Sequence, residues 1–218
     1  MQQDISIVSN NTVSISGKIA SCFTFSHEIY GEGFYNFYVD VYRLSNDVDR
    51  LPVTISERLV NKDLLPIGQE VHIVGQVRSY NSYIASDKKN KLILTIFTKD
   101  IQLQEDTEEI ITNNPNEVLL NGYICKPPVF RTTPFGREIS DMLLAVNRSY
   151  NKSDYVPCIA WGRNARFVST MEVGDNVKIV GRMQSRGYQK KLETGDVLDK
   201  VAYEISISKI EYHQPTIN

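Results

Sequence analysis

The chain has 218 residues, of which 41% are hydrophobic and 23% are charged, with a formal net charge of −2. This composition allows a real core and is ordinary for a soluble protein. No apolar run reaches the length of a membrane span, and the N-terminus lacks the basic and apolar regions of a signal peptide. Three widely spaced cysteines and three scattered histidines argue against a disulfide framework and a zinc site, so we expect a cytoplasmic protein with no metal and no cofactor.

The two halves of the chain repeat one another at an offset of about 105 residues. "YGEGFYNFYVDVYR" (30–43) aligns with "FGREISDMLLAVNR" (135–148), and "IGQEVHIVGQV" (67–77) aligns with "VGDNVKIVGRM" (173–183). Glycines repeat at this spacing and the apolar positions stay in step. A period this long predicts two copies of one domain rather than a solenoid.

The first copy spans residues 11–104, and its helix candidate is "SERLVNKDLL" (56–65). An acidic and then Asn/Pro-rich stretch follows, so residues 105–116 are interpreted as a linker.

The second copy spans residues 117–213 and has a β pattern. Alternating apolar runs separated by Gly, Pro and polar clusters predict strands over 118–125, 139–147, 155–161, 176–184 and 201–212. One helix candidate, 163–171, lies between the third and fourth strands. The sequence therefore predicts an all-β protein made of two tandem OB-folds, five-stranded Greek-key barrels that each carry one short helix between strands three and four.

Charge divides unequally between the halves. Residues 1–114 carry 10 Lys+Arg and 15 Asp+Glu, a balance of −5, whereas residues 115–218 carry 14 and 11, a balance of +3. Drift of surface charge would give similar numbers. Only the second half, however, is a plausible place for an anionic partner.

The single tryptophan, Trp161, ends the third strand of the second copy. Side chains alternate between the two faces of a strand, which places Tyr155 with Trp161 and places Val156 with Cys158 on the opposite face. Both faces are apolar, so this strand alone does not identify the face that belongs to the core.

The first copy resolves the ambiguity. Its matching strand carries Arg50 and Ser56 on one face and Val53 and Ile55 on the other, and the second of these must be the core face. If the copies share a fold, the face with Trp161 points outward. Tyr155 and Trp161, at the two ends of this face, lie about 20 Å apart. This distance is enough to spread several nucleotides over an aromatic and cationic surface.

The second copy resembles the bacterial and phage single-stranded DNA-binding protein family over residues 117–213. The similar stretches are collinear: "NEVLLNGYICKPPVFRTTPFGR", "LLAVNR", "YVPCIAWG" and "VGDNVKIVGRMQSRGY". The resemblance implies sequence-nonspecific binding and protection of single-stranded DNA in replication, recombination or repair, through base stacking on aromatics and phosphate contacts from Arg and Lys. It also implies a bacterial, nucleoid-associated location in the cytoplasm.

The resemblance also implies site residues. The stacking aromatics of the family fall on Tyr150, Tyr155, Trp161 and Tyr188, and its phosphate-binding cations fall on Arg131, Arg148, Arg163 and Arg186. Neighbouring cations complete the predicted DNA-binding surface: Arg182, Lys190 and Lys191. The first copy lacks aromatics at the positions of Tyr155 and Trp161, and a secondary DNA-binding path is predicted along Tyr38, Tyr42 and Tyr80.

The resemblance bears on assembly as well. Family members usually have one OB-fold per chain and form tetramers, so two per chain imply a homodimer that presents four. The acidic tail that recruits repair and replication enzymes in this family does not follow "ISKIEYHQPTIN". Contact with replication or recombination proteins stays open as an expectation.

Two other functions compete with simple capture of DNA. A primosome-type OB assembly protein would use the same face but act mainly through protein partners, and RNA is an alternative ligand because stacking faces accept either polymer. An enzyme is not expected. The carboxylates Glu138, Asp141 and Asp154 form no recognised metal-binding spacing, and no Ser/His or Cys/His arrangement stands out.

Overall fold

The computed structural model of the protein describes residues 9–61, 65–84, 89–103, 114–191, 195 and 197–212, with the backbone alone for 83, 84, 89, 90, 190 and 191. These residues form twelve strands and one short helix, which confirms the predicted all-β class. Within the described ranges, no helix is long and apolar enough to cross a bilayer.

The first copy forms a closed barrel. Its strands are β1 (Asn11–Ile19), β2 (Thr24–Ile29), β3 (Glu32–Tyr42), β4 (Val48–Ser56), β5 (Glu70–Ile84) and β6 (Lys89–Leu103). Strand β4 runs parallel to β6, and β5 pairs with both β6 and β1. Strand β1 also pairs with β3, and this contact closes the sheet on itself.

The second copy repeats the same pairing order. Its elements are β7 (Asn116–Ile124), β8 (Val129–Thr132), β9 (Glu138–Arg148), β10 (Lys152–Trp161), α1 (Arg163–Val168), β11 (Asn176–Lys191) and β12 (Val197–Tyr212). The five predicted strands are all present. A sixth, β8, follows Pro127 and Pro128 and pairs with β9, as β2 pairs with β3 in the first copy.

The barrels close where the sequence repeats a glycine. A side chain at Gly122 would place its Cβ 2.5 Å from the carbonyl oxygen of Ala145 on β9, and Gly17 meets Asp40 on β3 in the same way. Only glycine allows strands to approach this closely. The matching glycines therefore mark the closure of each barrel.

Equivalent positions of the two copies fill the two cores. Val39 and Leu144 are both fully buried, as are Leu51 and Val156. Burying an aliphatic side chain of this size contributes about 1.5–3 kcal/mol. The hydrophobic pattern shared by the copies therefore specifies one core arrangement twice.

The helix prediction is correct for one copy only. In the second copy α1 covers Arg163–Val168 and buries Val168. None of the described residues within 56–65 of the first copy is helical. Helix α1 is held by buried Ala165 and Val168. The residue that matches Val168 is Lys62 or Asp63, depending on the offset, so a helix there would lack one of these two apolar contacts.

The two barrels are joined through their first strands. Strands β1 and β7 pair antiparallel, with Asn11 opposite Leu120 and Ile15 opposite Asn116. This pairing makes one continuous sheet of six central strands in the order β6-β5-β1-β7-β11-β12. Most of the predicted linker, 105–116, lies outside the described residues, and Asn116 already belongs to β7. The domain boundaries at 11–104 and 117–213 stay a prediction.

Candidate nucleic-acid interface

Strand β10 turns its aromatic face outward. Tyr155 is 44% exposed and Trp161 is 38% exposed, whereas Val156 and Cys158 are buried. Burial also raises the pKa of the Cys158 thiol, as expected for a core group that stays protonated. Ile159 lies on the outward face but is buried. The face therefore presents two separate aromatic surfaces rather than one continuous stripe.

Neighbouring strands place further residues beside these aromatics. Trp161 lies opposite Ile139, which in turn lies opposite Arg131, so one row across β10, β9 and β8 joins the tryptophan to a cation. A second row runs from Tyr155 through Ala145 on β9 to Tyr123 on β7.

Tyr123 is exposed and was missed in the sequence. Its counterpart in the first copy is Lys18, a polar surface residue. The comparison between copies that oriented Trp161 would therefore have oriented Tyr123 as well.

The other two predicted stacking residues lie away from these rows. Tyr150 lies in the turn between β9 and β10, is 94% exposed and has a φ of 62°. Tyr188 lies on the part of β11 that extends past the barrel, opposite Lys200 on β12. Both are exposed, but neither shares a row with Trp161.

A shallow pocket beside Trp161 collects additional cations. Its lining consists of Thr132, Gly136, Arg137, Glu138, Trp161, Gly162 and Arg166. Arg166 is held by Glu138 at 2.6 Å, whereas neither Arg137 nor the exposed Arg163 makes a side-chain ion pair within the described residues. Arg137 is a second residue that the sequence reasoning missed. Its counterpart in the first copy is Glu32, a reversal of charge that signals a difference between the two surfaces.

Two predicted cations are paired with carboxylates of their own barrel, one exposed and one buried. Arg131 donates to Asp141 at 2.8 Å, and Arg186 donates to Glu204 at 3.1 Å. The hydrogen bond to Glu204 is the main cause of a raised pKa for Arg186. The exposed pair of Arg131 with Asp141 contributes about 0–1 kcal/mol, so a phosphate can compete for the Arg131 guanidinium, whereas Arg186 is held by a buried carboxylate.

Two more predicted cations lie at the junction of the barrels, where each shares a buried carboxylate with a second arginine. Arg148 and Arg78 surround Asp154, at 3.3 and 3.2 Å. Desolvation, the largest cause, lowers the pKa of Arg78. Two guanidinium groups around one carboxylate leave a net charge of about +1 beside Tyr155.

The opposite junction has the same composition. Arg182 and Arg43 surround Asp49, at 3.1 and 2.5 Å. Desolvation is again the largest cause that lowers the pKa of Arg182. Lys190 and Lys191 extend β11, but their side chains lie outside the described residues.

In the first copy, the positions that match Tyr155 and Trp161 offer no stacking surface. Arg50, in place of Tyr155, is paired with Asp40 at 2.8 Å. Ser56, in place of Trp161, is buried and donates to Glu32. These side chains satisfy one another and offer neither an aromatic surface nor a free cation.

The tyrosines of the first copy nevertheless lie on its surface. Tyr38, Tyr42 and Tyr80 are all at least 40% exposed. Tyr38 and Tyr80 line one groove together with Pro52. At the end of this region Tyr203 of the second copy interacts with Tyr38 and Arg50, and burial is the main cause that raises the pKa of Tyr203 to about 12.

The described residues contain no group of three or more His, Cys, Asp or Glu side chains able to hold a metal ion. The features that the described surface does offer are aromatic surfaces and cations.

Sequence comparisons relate the second barrel, which carries this surface, to proteins that bind single-stranded DNA. The model of the single-strand binding protein family matches residues 115–212. Single-stranded DNA-binding protein B of Bacillus subtilis is 34% identical over 83 residues, which cover 35% of this chain and 74% of the relative. Single-stranded DNA-binding protein 1 of Staphylococcus aureus is also 34% identical over 83 residues, but only 50% of its length is covered. The chain thus spans about half the length of several curated relatives that it matches.

A structural comparison covers both barrels. The wild-type single-stranded DNA binding protein from Thermus aquaticus superposes with a TM-score of 0.75 and 18% identity, over 95% of this chain and 95% of that chain. At this identity the likeness establishes the fold of the two barrels. Together with the sequence matches of the second barrel, it confirms the predicted OB-folds and the family resemblance: this chain belongs to the single-strand binding protein family.

Proposed function

We propose that this protein binds and protects single-stranded DNA without sequence preference during replication, recombination or repair. The observation that carries the proposal is the outward aromatic face of β10, with Tyr155 and Trp161, inside the segment that matches the family. Members of this family bind DNA and do not catalyse a reaction. We therefore propose a binding protein, acting on DNA in the bacterial cytoplasm, rather than an enzyme.

The surface suits a single strand for two physical reasons. Unpaired bases expose their faces, and each base stacked on an aromatic ring contributes about 1–3 kcal/mol regardless of its identity. Arg137, in the pocket beside Trp161, and Arg163, two residues after it, make no side-chain ion pair among the described residues, so phosphates of a bound strand can reach them. In a duplex the bases are stacked on one another and cannot use the aromatic surfaces.

The test is a titration of labelled oligonucleotides of equal length as single-stranded DNA, duplex DNA and RNA, across a salt series. We expect tight binding of single-stranded DNA, weak binding of the duplex, and a linear fall of log affinity with log salt concentration. Equal affinity for the duplex would reject the proposal. Stronger binding of RNA than of single-stranded DNA would show that RNA, and not DNA, is the ligand. Degradation of the oligonucleotide with divalent metal would favour an enzyme.

We further propose that the protein is a homodimer that presents four barrels. The outer face of the six central strands carries Leu119, which is 42% exposed, within a depression that Val180 and Lys178 also line. An exposed apolar side chain on the outer face of a sheet can pack against the same face of a second copy about a twofold axis. Light scattering after gel filtration should give twice the chain mass, and Leu119→Arg should shift it toward the monomer. A monomer at every concentration would reject this assembly.

A further inference from the structure

One edge of β10 is covered by the other barrel. Strand β12 pairs with β10 only at Cys158 and Ile159. At Asp154 and Tyr155, nearer the start of the strand, that edge meets β5 of the first copy instead. The predicted stacking residue Tyr155 is therefore hydrogen-bonded to a part of the chain about 76 residues earlier.

The contact at this edge is reciprocal. The backbone N–H of Tyr155 donates to the hydroxyl oxygen of Ser79 at 2.7 Å, and the backbone N–H of Ser79 donates to Asp154 Oδ1 at 2.7 Å. Asp154 is fully buried and Ser79 is nearly so. Arg78 and Arg148 hold the second oxygen of the carboxylate, so Asp154, which accepts from the backbone of Ser79, is itself fixed.

The opposite junction provides an internal comparison. Ser185, the counterpart of Ser79, donates its backbone N–H to Asp49 Oδ1 at 2.8 Å. Its hydroxyl also points to Asp49, at 3.3 Å, rather than accepting from the next residue of β4. That next residue is Arg50, which is paired with Asp40. The two serines thus hold equivalent positions in the fold, Ser79 buried and Ser185 partly buried, but only Ser79 accepts a hydrogen bond from the backbone of an aromatic residue.

We propose that Ser79 of the first barrel is a positioning residue for the DNA-binding face of the second, acting through the backbone of Tyr155. This inference rests on the proposed function, because it assumes that Tyr155 stacks on a base. The first barrel then has a defined part in binding even though Arg50 and Ser56 stand in place of the stacking aromatics on its own matching strand.

The physical reason lies in the backbone at the start of β10. A strand edge whose N–H is unpaired is free to twist, and a twist there moves the outward side chain. Ser79 satisfies that N–H and holds the peptide plane, so the ring of Tyr155 is oriented before DNA arrives and less entropy is lost on binding. Ser79→Ala removes the acceptor but keeps the backbone contact to Asp154. Loss of one such hydrogen bond should weaken DNA binding about 3- to 10-fold.

The experiment is a double-mutant cycle on the full-length protein. Affinity for an oligo-dT strand is measured for the parent, Ser79→Ala, Tyr155→Ala and the double variant, with Ser185→Ala as the matched control. Gel filtration and thermal denaturation verify that assembly and stability are kept. We expect Ser79→Ala to weaken binding, Ser185→Ala to have little effect, and Ser79→Ala to add nothing once Tyr155 is alanine. A merely structural role would give the same loss in both backgrounds.

The outcomes separate the two proposals. If Tyr155→Ala alone leaves affinity unchanged, the proposed stacking site is wrong, and the positioning role fails with it. If Tyr155→Ala weakens binding but Ser79→Ala does not, the proposed function stands and the positioning role is rejected. An equal loss from Ser185→Ala would also reject it, because the effect would then come from the junctions in general.

Discussion

Trp161 is the residue on which the interface depends most, and its position at the end of β10 determines what its removal should cost. It is 38% exposed and faces away from the buried side of its strand. Trp161→Ala should weaken binding of single-stranded DNA by about 1–3 kcal/mol and leave the thermal midpoint almost unchanged. Because it is the only tryptophan, quenching of its fluorescence reports binding directly.

The control for this variant is Tyr30→Ala. Tyr30 is a fully exposed aromatic at a hairpin tip of the acidic first copy, and its loss should change neither affinity nor stability. Truncation of a core tryptophan costs about 3–5 kcal/mol of unfolding free energy. A stability loss of that size for Trp161→Ala would contradict the outward placement.

At this scale the sequence predicts exposure better than it predicts contacts. The repeat orients Tyr155 and Trp161 because a polar residue in the first copy marks the same face. No such signal exists for the partners of Arg78 and Arg182, which belong to the other barrel. Their carboxylates are buried where the two barrels meet, and Asp49 lies 133 residues from Arg182. Long-range contacts of this kind leave no local pattern in a single sequence.

Among the elements, the first strand of each barrel begins with an asparagine whose side chain, rather than its backbone, makes the hydrogen bonds to the neighbouring strand of the same barrel. The amide of Asn116 donates to the carbonyl oxygen of Met183 at 2.7 Å and accepts from its N–H at 3.0 Å. Asn11 makes the same pair of bonds with Val77, at 2.8 and 2.9 Å. Both asparagines are buried, and each pins the start of a strand to the middle of the long hairpin beside it.

Asn116→Ala should therefore destabilise the second barrel. It leaves the N–H and the carbonyl of Met183 buried without partners, at a cost of roughly 1–3 kcal/mol for each group. Chemical denaturation measures the loss. Asn164→Ala is the matched control, because Asn164 is an asparagine with one exposed bond, to the carbonyl of Ser208. Equal midpoints for the two variants would show that the buried amide contributes nothing.

The elements also show where the apolar–polar alternation of the sequence no longer predicts the end of a strand. The sequence predicts the fourth strand over 176–184, whereas β11 continues to Lys191. Beyond the barrel both faces of the hairpin meet solvent or the other copy, so the alternation of apolar and polar residues that marks a strand is lost. The helix candidate at 56–65 failed for the complementary reason, since charged residues occupy the position that Val168 fills in α1.

In the molecule as a whole, the two barrels are similar in fold and different in surface. Pairing of β1 with β7 makes them a single unit with an approximate twofold relation, and the sequence contains no signal for that pairing. The difference of charge, in contrast, is readable in the sequence. The structure shows in addition which cations are paired. In the first copy Arg50 and Arg58 each pair with a carboxylate. In the second copy Arg137 and Arg163 make no ion pair among the described residues.

This difference predicts unequal contributions to binding. The double variant Tyr155→Ala with Trp161→Ala should lose far more affinity for single-stranded DNA than Tyr38→Ala with Tyr42→Ala. The first pair lies beside free cations, whereas Tyr38 lies in an acidic copy whose arginine at position 50 is already paired. Titrations with full-length proteins of unchanged oligomeric state measure the comparison, and both pairs are exposed, so neither should disturb a core.

The competing arrangement is two comparable binding surfaces, and the groove lined by Tyr38 and Tyr80 makes it a real alternative. Tyrosine stacks bases nearly as readily as tryptophan, so exposure alone does not decide between the copies. Charge does: a polyanion approaching a half with a balance of −5 is repelled, and one approaching a half with +3 is attracted. High salt screens these charge interactions. Repeating both titrations at high salt should therefore reduce the difference in affinity loss between the two double variants. Equal losses at low salt would show that both barrels bind alike, and a larger loss from the Tyr38 and Tyr42 pair would reverse the roles assigned to the two barrels.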